Sequence, residues 1–144
     1  MKQSTYKWDI FDDILMGFAT PGRIPTEVWD AFIDDLRTKP IAKYLGTSFG
    51  AVEANSIQRK QISDIFTSRK MLVAVVTDDS LVRGLITAVG WFGVNIKGFS
   101  WAELRGALRH LGVQDDRVED AVDLLMSIKK SCFDAERVPV KRIG

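Results

Sequence analysis

The stretch Met71-Leu-Val-Ala-Val-Val-Thr77 decides the fold. It contains no charged residue and is rich in β-branched side chains, the pattern of a strand that is buried on both faces. Strands of this kind occur in parallel sheets whose faces are covered by helices. We therefore expect this segment to be a central strand of an α/β domain.

Strands and helices alternate on either side of this segment. Near the N-terminus, short apolar runs at 7–11 and 14–20 are separated by Asp12-Asp13, which predicts a hairpin. Apolar residues at helical spacing then predict a first helix from about Pro25 to Arg37. The other predicted elements are a strand at 44–49, helices around 57–66 and 79–89, a strand at 95–99, a helix from Ser100 to Gly112 and a last helix at about 116–132.

This order predicts one α/β domain over residues 1–144 with a core at about 6–112. We expect a mixed, mostly parallel sheet of about five strands with helices packed on it. The last helix is additional to that core, and the tail at 134–144 has too weak a pattern to predict more than a loose segment or an edge extension. The apolar stripe of the last helix predicts packing on the domain or, alternatively, on a second copy in a homodimer. The stripe consists of Val118, Ala121, Val122, Leu125 and Ile128.

Composition excludes several classes of protein. The 20 basic and 19 acidic residues leave a net charge of +1, which gives no long-range attraction for nucleic acid or anionic membranes. A single cysteine, Cys132, excludes an internal disulfide, and the single histidine, His110, excludes zinc sites built from paired Cys and His ligands. We expect no signal peptide, because the first residues lack a continuous apolar run, and no transmembrane segment, because no later run is long enough. We expect a cytoplasmic protein with no cofactor, nucleic-acid partner or membrane insertion.

Two short polar segments are candidate sites. Asn55-Ser56-Ile57-Gln58 stands where the second helix should begin, and we expect Ser56 to be the N-cap. The alternative is phosphorylation of Ser56, because a helix N-terminus has free amides and a positive dipole end that hold a phosphate well.

Asp78 and Asp79 follow the deciding strand at its carboxyl end. We expect them to cap the next helix. The alternative is a site for magnesium or for a ligand's hydroxyls.

The residues of nucleophilic catalysis do not form a recognisable set. His110 is expected at a helix C-terminus as a surface or dipole-compensating residue, and Cys132 is expected to be a small, part-buried thiol. Asp12 and Asp13 precede a strand, so they cannot join Asp78 and Asp79 in the acidic cluster of a receiver domain. We expect no catalytic residues.

The order of strands and helices resembles the STAS domain, the fold shared by anti-sigma-factor antagonists and the cytoplasmic domains of sulfate transporters. The resemblance covers about residues 6–112. It is carried by Gly22-Arg-Ile-Pro-Thr-Glu-Val-Trp29, by Ser80-Leu-Val-Arg-Gly-Leu85 and by Asn95-Ile-Lys-Gly-Phe99. The family's Asp-Ser-Ser/Thr-Gly turn, whose first serine accepts phosphate, corresponds to residues 55–58, where only Ser56 is kept.

The resemblance implies a non-catalytic regulatory module that binds a protein partner, kinase-like or anti-sigma-like, and is gated by phosphorylation of Ser56. The expected partner or ligand surface consists of Asn55, Ile57, Gln58, Asp78, Asp79, Trp91 and Phe92. The alternative is a carrier or sensor that holds a small apolar or nucleotide ligand in a pocket between the sheet and a helix. That pocket is expected to be lined by Phe49, Trp91, Phe92 and Phe99.

Overall fold

The structure is a computed structural model that describes residues 2–79 and 93–137. Within these ranges, five strands form one mixed sheet, the main sheet. They are β1 (Tyr6–Phe11), β2 (Ile14–Ala19), β4 (Lys43–Ser48), β6 (Leu72–Val76) and β7 (Asn95–Phe99). Their order across the sheet is β1-β2-β4-β6-β7, with β1 antiparallel to β2 and all other neighbours parallel. A small parallel pair is formed by β3 (Gly22–Arg23) and β5 (Val52–Glu53).

Helices cover both faces of the main sheet. They are α1 (Thr26–Thr38), α2 (Ser56–Ser68), α3 (Leu104–His110) and α4 (Val118–Arg137). One core cluster joins α1 and α2 to one face of the sheet, and a second cluster joins α3 and α4 to the opposite face. The predicted α/β class, the N-terminal hairpin and the mixed sheet are confirmed. None of the described helices is long and apolar enough to cross a membrane.

The deciding segment forms β6, an inner strand. It pairs with β4 on one side and with β7 on the other. Val73 contributes to the cluster under α1 and α2, whereas Ala74 and Val76 contribute to the cluster under α3 and α4. Burial on both faces explains why no polar alternation was visible in its sequence. The middle position of the five belongs to β4, so β6 is inner rather than strictly central.

The last helix is longer than predicted. Its apolar stripe packs on the chain's own sheet, where Ala121, Leu125 and Cys132 are fully buried. The helix does not stop at Cys132 but continues to Arg137, so the expectation of a loose segment from residue 134 is wrong for 134–137. The extra turn is held by tertiary contacts: the ring of Phe133 lies 5.7 Å from that of Phe18, and the Thr20 hydroxyl donates to the carboxylate of Glu136. Residues 138–144 and the predicted helix at 79–89 from residue 80 onward lie outside the described residues.

Candidate functional site

Two glycines on neighbouring strands make room for two buried tyrosines. Gly17 of β2 pairs with Gly46 of β4. A Cβ atom on Gly17 would lie 2.3 Å from the Tyr6 hydroxyl oxygen, and one on Gly46 would lie 2.8 Å from the Tyr44 ring. Both contacts are shorter than side chains tolerate, so only glycine leaves this space free. The two tyrosine hydroxyls meet there, with 2.7 Å between their oxygens.

This pair, the tyrosine pair, is almost completely buried. Tyr6 is 6% exposed and Tyr44 is 8% exposed. Burial raises the pKa of Tyr44 to about 12 and raises the pKa of Tyr6 well above its usual value, because the phenolate would lose its hydration. Both hydroxyls therefore stay protonated near neutral pH. Only one of the two protons is used in the hydrogen bond between them, and among the described residues neither hydroxyl has another partner.

The tyrosine pair lines a cavity between the main sheet and helices α1 and α2. Its volume is ≈ 550 Å³, within the range of roughly 300–1,000 Å³ that is typical of small-molecule sites. Apolar and aromatic side chains form most of the wall. They include Ile24, Trp29, Phe32, Phe66, Val75 and Ile96. The charged residues among the described lining are Arg59 and Lys60, and both are cationic.

The predicted pocket lining is wrong for Phe49 and Phe99, whereas Trp91 and Phe92 lie outside the described residues. A cavity between sheet and helix is present, but neither Phe49 nor Phe99 is among its described lining. Phe99 is buried on the opposite face, because side chains alternate along β7. Phe49 follows the end of β4, where its ring lies 4.9 Å from that of Trp101 and 4.6 Å from the ammonium of Lys129.

The start of α2 corrects the expectation for Ser56. Asn55 is the N-cap: its side-chain oxygen accepts from the backbone N–H of Gln58 at 2.8 Å. The Gln58 side chain in turn accepts from the backbone N–H of Asn55 at 3.0 Å, which completes a capping box. Ser56 is the first helical residue and is exposed. The prediction that Ser56 caps the helix is therefore wrong, because Asn55 offers a side-chain acceptor and an extended backbone one position earlier.

An exposed apolar side chain stands beside Ser56. Ile57 is 72% exposed, and it and Phe49 are the large hydrophobic side chains that the described residues leave exposed. Asn55 and Ser56 are exposed as well. We call residues 55–58 the helix-start surface.

Asp78 and Trp101 link the carboxyl ends of β6, β7 and β4 by hydrogen bonds. The Asp78 carboxylate accepts from the backbone N–H of Trp101 at 2.9 Å, and the Trp101 indole donates to the carbonyl of Ser48 at 2.8 Å. Asp78 thus caps the helical turn after β7. The helix at 79–89 that Asp78 and Asp79 are predicted to cap lies outside the described residues from residue 80 onward. The backbone N–H of Asp79 donates to the Thr77 hydroxyl at 3.2 Å. Across residues 2–79 and 93–137, no group of three or more acidic, Cys or His side chains could hold a metal ion.

Trp91 and Phe92, which the sequence assigned to the partner or ligand surface, lie outside the described residues. His110 ends α3 as predicted, yet its ring lies 5.6 Å from that of Phe99, and its Nε2 atom is buried without a hydrogen-bond partner in the described part of the chain. His110 is therefore more buried than the expected surface residue.

Cys132 is a fully buried thiol that donates to the carbonyl of Phe18 at 3.6 Å. Burial raises the pKa of this thiol.

The tyrosine pair was missed at the sequence level. The sequence offers only a weak signal for it. Tyr44 is on β4, the strand that also holds Gly46. Tyr6 is on β1, which pairs with β2, the strand that holds Gly17. The register that brings them together becomes visible only in the folded sheet.

No protein-family model matches this chain, and no curated protein matches its sequence.

Proposed function

We propose that the chain is a non-catalytic binding module that carries or senses a small apolar ligand in the cavity between the main sheet and helices α1 and α2. The observation that carries this proposal is the cavity of ≈ 550 Å³ together with its aromatic lining. Protein interiors are close-packed, and voids larger than a water molecule are few. A cavity of this size with apolar walls is the usual form of a ligand site.

The tyrosine pair supports the same proposal. Placing two hydroxyls in an apolar wall is costly unless their hydrogen bonds are satisfied, and this pair leaves one proton without a described acceptor. A ligand oxygen would supply that acceptor. Both rings also need the space above Gly17 and Gly46, so the backbone itself is shaped around the pair.

The test is a native mass spectrum of the protein purified from its native host, with and without an obstruction in the cavity. Ser63 lines the cavity from α2, so Ser63→Phe should fill part of it. Thr67→Phe adds the same ring to an exposed position of the same helix and serves as the control. We expect a bound small-molecule mass on the wild type and on Thr67→Phe but not on Ser63→Phe. If the wild type carries no extra mass and a small-molecule extract of the host does not raise its Tm, the proposal is wrong.

A second candidate function is supported by the helix-start surface. The 72% exposure of Ile57 beside the exposed Ser56 provides an apolar contact next to a hydroxyl that a kinase could reach. The resemblance to the STAS domain implies a kinase-like or anti-sigma-like partner at this position. Phosphate on Ser56 would add about −1.5 to −2 charges at the positive end of α2, which favours the helix while changing the surface.

This second candidate is tested by capture of a partner from the host with the wild type and three variants. Ile57→Glu should abolish capture, and it should not unfold α2, because an acidic residue in the first turn complements the helix dipole. Lys130→Glu on α4, an exposed position, is the control and should retain the partner. Ser56→Asp should change capture at an unchanged Tm if phosphorylation gates the surface. Equal capture by all forms would rule out this surface.

A further inference from the structure

We infer that the ligand of the cavity is an amphipathic anion, with an apolar body and a single carboxylate or comparable oxyanion. This inference rests on the proposed function and adds the chemical class of the ligand. Three features of the described lining support it: the apolar wall, the hydroxyl proton of the tyrosine pair and a guanidinium that has no carboxylate partner among the described residues.

The wall requires an apolar body. Trp29 and Phe32 from α1 and Phe66 from α2 face the sheet residues across the cavity. Their rings offer large apolar contact areas, and burying such surface against an apolar ligand is favourable. A fully hydrated ligand would gain nothing from these walls.

The tyrosine pair requires an oxygen acceptor. One hydroxyl donates to the other, so the proton of the accepting hydroxyl remains to be donated. Because burial raises the pKa of both tyrosines, the pair remains a donor at neutral pH. An ether, carbonyl, hydroxyl or carboxylate oxygen on the ligand could accept this bond, and a carboxylate accepts it most strongly.

The charged residues favour an anion over the other acceptors. Lys60 lies 2.9 Å from the carboxylate of Asp64, so its charge is partly neutralised. Arg59 donates to the carbonyl of Ala54, which carries no charge, and no carboxylate of the described residues lies within ion-pair distance of it. The described lining holds no acidic residue to repel an anion. Among the described lining residues, one cation without a carboxylate partner matches one negative charge, and a nucleotide phosphate would bring more charge than these residues balance.

The test is isothermal titration calorimetry with AMP and with three probes of equal chain length: octanoate, 1-octanol and octylammonium. We expect octanoate to bind about tenfold more tightly than 1-octanol, since a hydrogen bond to a charged acceptor is stronger than one to a neutral acceptor. Octylammonium should not bind. Equal affinities for octanoate and 1-octanol would overturn the anion assignment while leaving the cavity proposal intact. Failure of all three probes to bind would count against the proposed function itself. Tighter binding of AMP than of octanoate would replace the inferred class with a nucleotide.

Two variants assign the contacts. Arg59→Gln should remove the preference for octanoate and leave the affinity for 1-octanol unchanged. The double variant Tyr6→Phe/Tyr44→Phe keeps both rings and should weaken both ligands by roughly three- to tenfold, because either hydroxyl could be the one that donates to the ligand. Arg105→Gln breaks an exposed ion pair with Glu119 on the opposite face and should bind like the wild type. A preference for octanoate that survives Arg59→Gln would refute the role of the guanidinium.

Discussion

The hydroxyl oxygens of Tyr6 and Tyr44 lie 2.7 Å apart although 38 residues separate them in the sequence. Each occupies space that a strand glycine leaves open, and Gly17 and Gly46 are themselves paired across β2 and β4. They are the two tyrosines of the chain. Any tyrosine signal from this protein therefore reports on this one contact.

Alkaline titration should detect the burial of the pair. Unfolded tyrosine titrates near about pH 10, whereas burial raises the pKa of Tyr44 to about 12 and raises that of Tyr6. Because the folded state holds these protons more tightly, their contribution to stability is complete below about pH 10 and is lost as pH rises toward 12. We expect no tyrosinate absorbance from the native protein at pH 10, and half-ionisation near that pH in urea. A native protein that ionises a tyrosine at pH 10 without unfolding would contradict this burial.

Gly46→Ala should destabilise the fold. The new methyl would lie 2.8 Å from the Tyr44 ring, and crowding of this kind in a packed core costs about 1–3 kcal/mol. Gly106→Ala is the matched control: its Cβ has no neighbour within 4 Å and it lies within α3, so it should stabilise by about 0.5–1 kcal/mol. Urea unfolding midpoints of the two variants should therefore shift in opposite directions.

The capping box at α2 predicts different costs for two adjacent residues. Asn55→Ala should lower the free energy of unfolding by about 0.5–2 kcal/mol, because it leaves the backbone N–H of Gln58 without its acceptor. Ser56→Ala should change it little, since no hydrogen bond of the cap uses the serine side chain. Thermal unfolding of both variants decides between the two residues. A larger loss for Ser56→Ala would restore serine as the cap.

Cys132 should be unreactive in the native protein. Its side chain is fully buried, and burial raises its pKa, which lowers the fraction of thiolate. A thiol reagent should react with Cys132 slowly in the absence of denaturant and rapidly in urea. In the folded protein, the labelling rate should be limited by the local opening of α4. Rapid labelling of the folded protein would mean that this helix does not cover the sheet.

Local sequence patterns predicted the elements that are determined by residues close together in the sequence. The capping box of Ser100 and Glu103 is present, with 2.9 Å between the serine amide and the glutamate carboxylate. Gly112 has the positive φ of +88° expected where a helix stops. β6 was recognisable because burial on both faces removes every polar residue from its sequence.

Features that depend on register or distant contacts were not predictable in this way. The tyrosine pair fits against the sheet because Gly17 and Gly46 are opposite each other, a relationship that no single segment encodes. The last turn of α4 is held by contacts with Thr20 and Phe18, whereas the sequence from residue 134 has too weak a local pattern to predict a helix. The choice between Asn55 and Ser56 as cap depended on one residue of register, which is finer than periodicity resolves.

Helix α2 belongs to both candidate sites, and this imposes a thermodynamic constraint. Arg59 and Ser63 line the cavity, while Ser56 and Ile57 stand at the exposed start of the same helix. If a ligand shifts α2 and thereby changes a partner's affinity by some factor, the partner must change the ligand's affinity by the same factor. Such coupling would make the module a two-input device, in which phosphate on Ser56 alters how tightly the cavity retains its ligand.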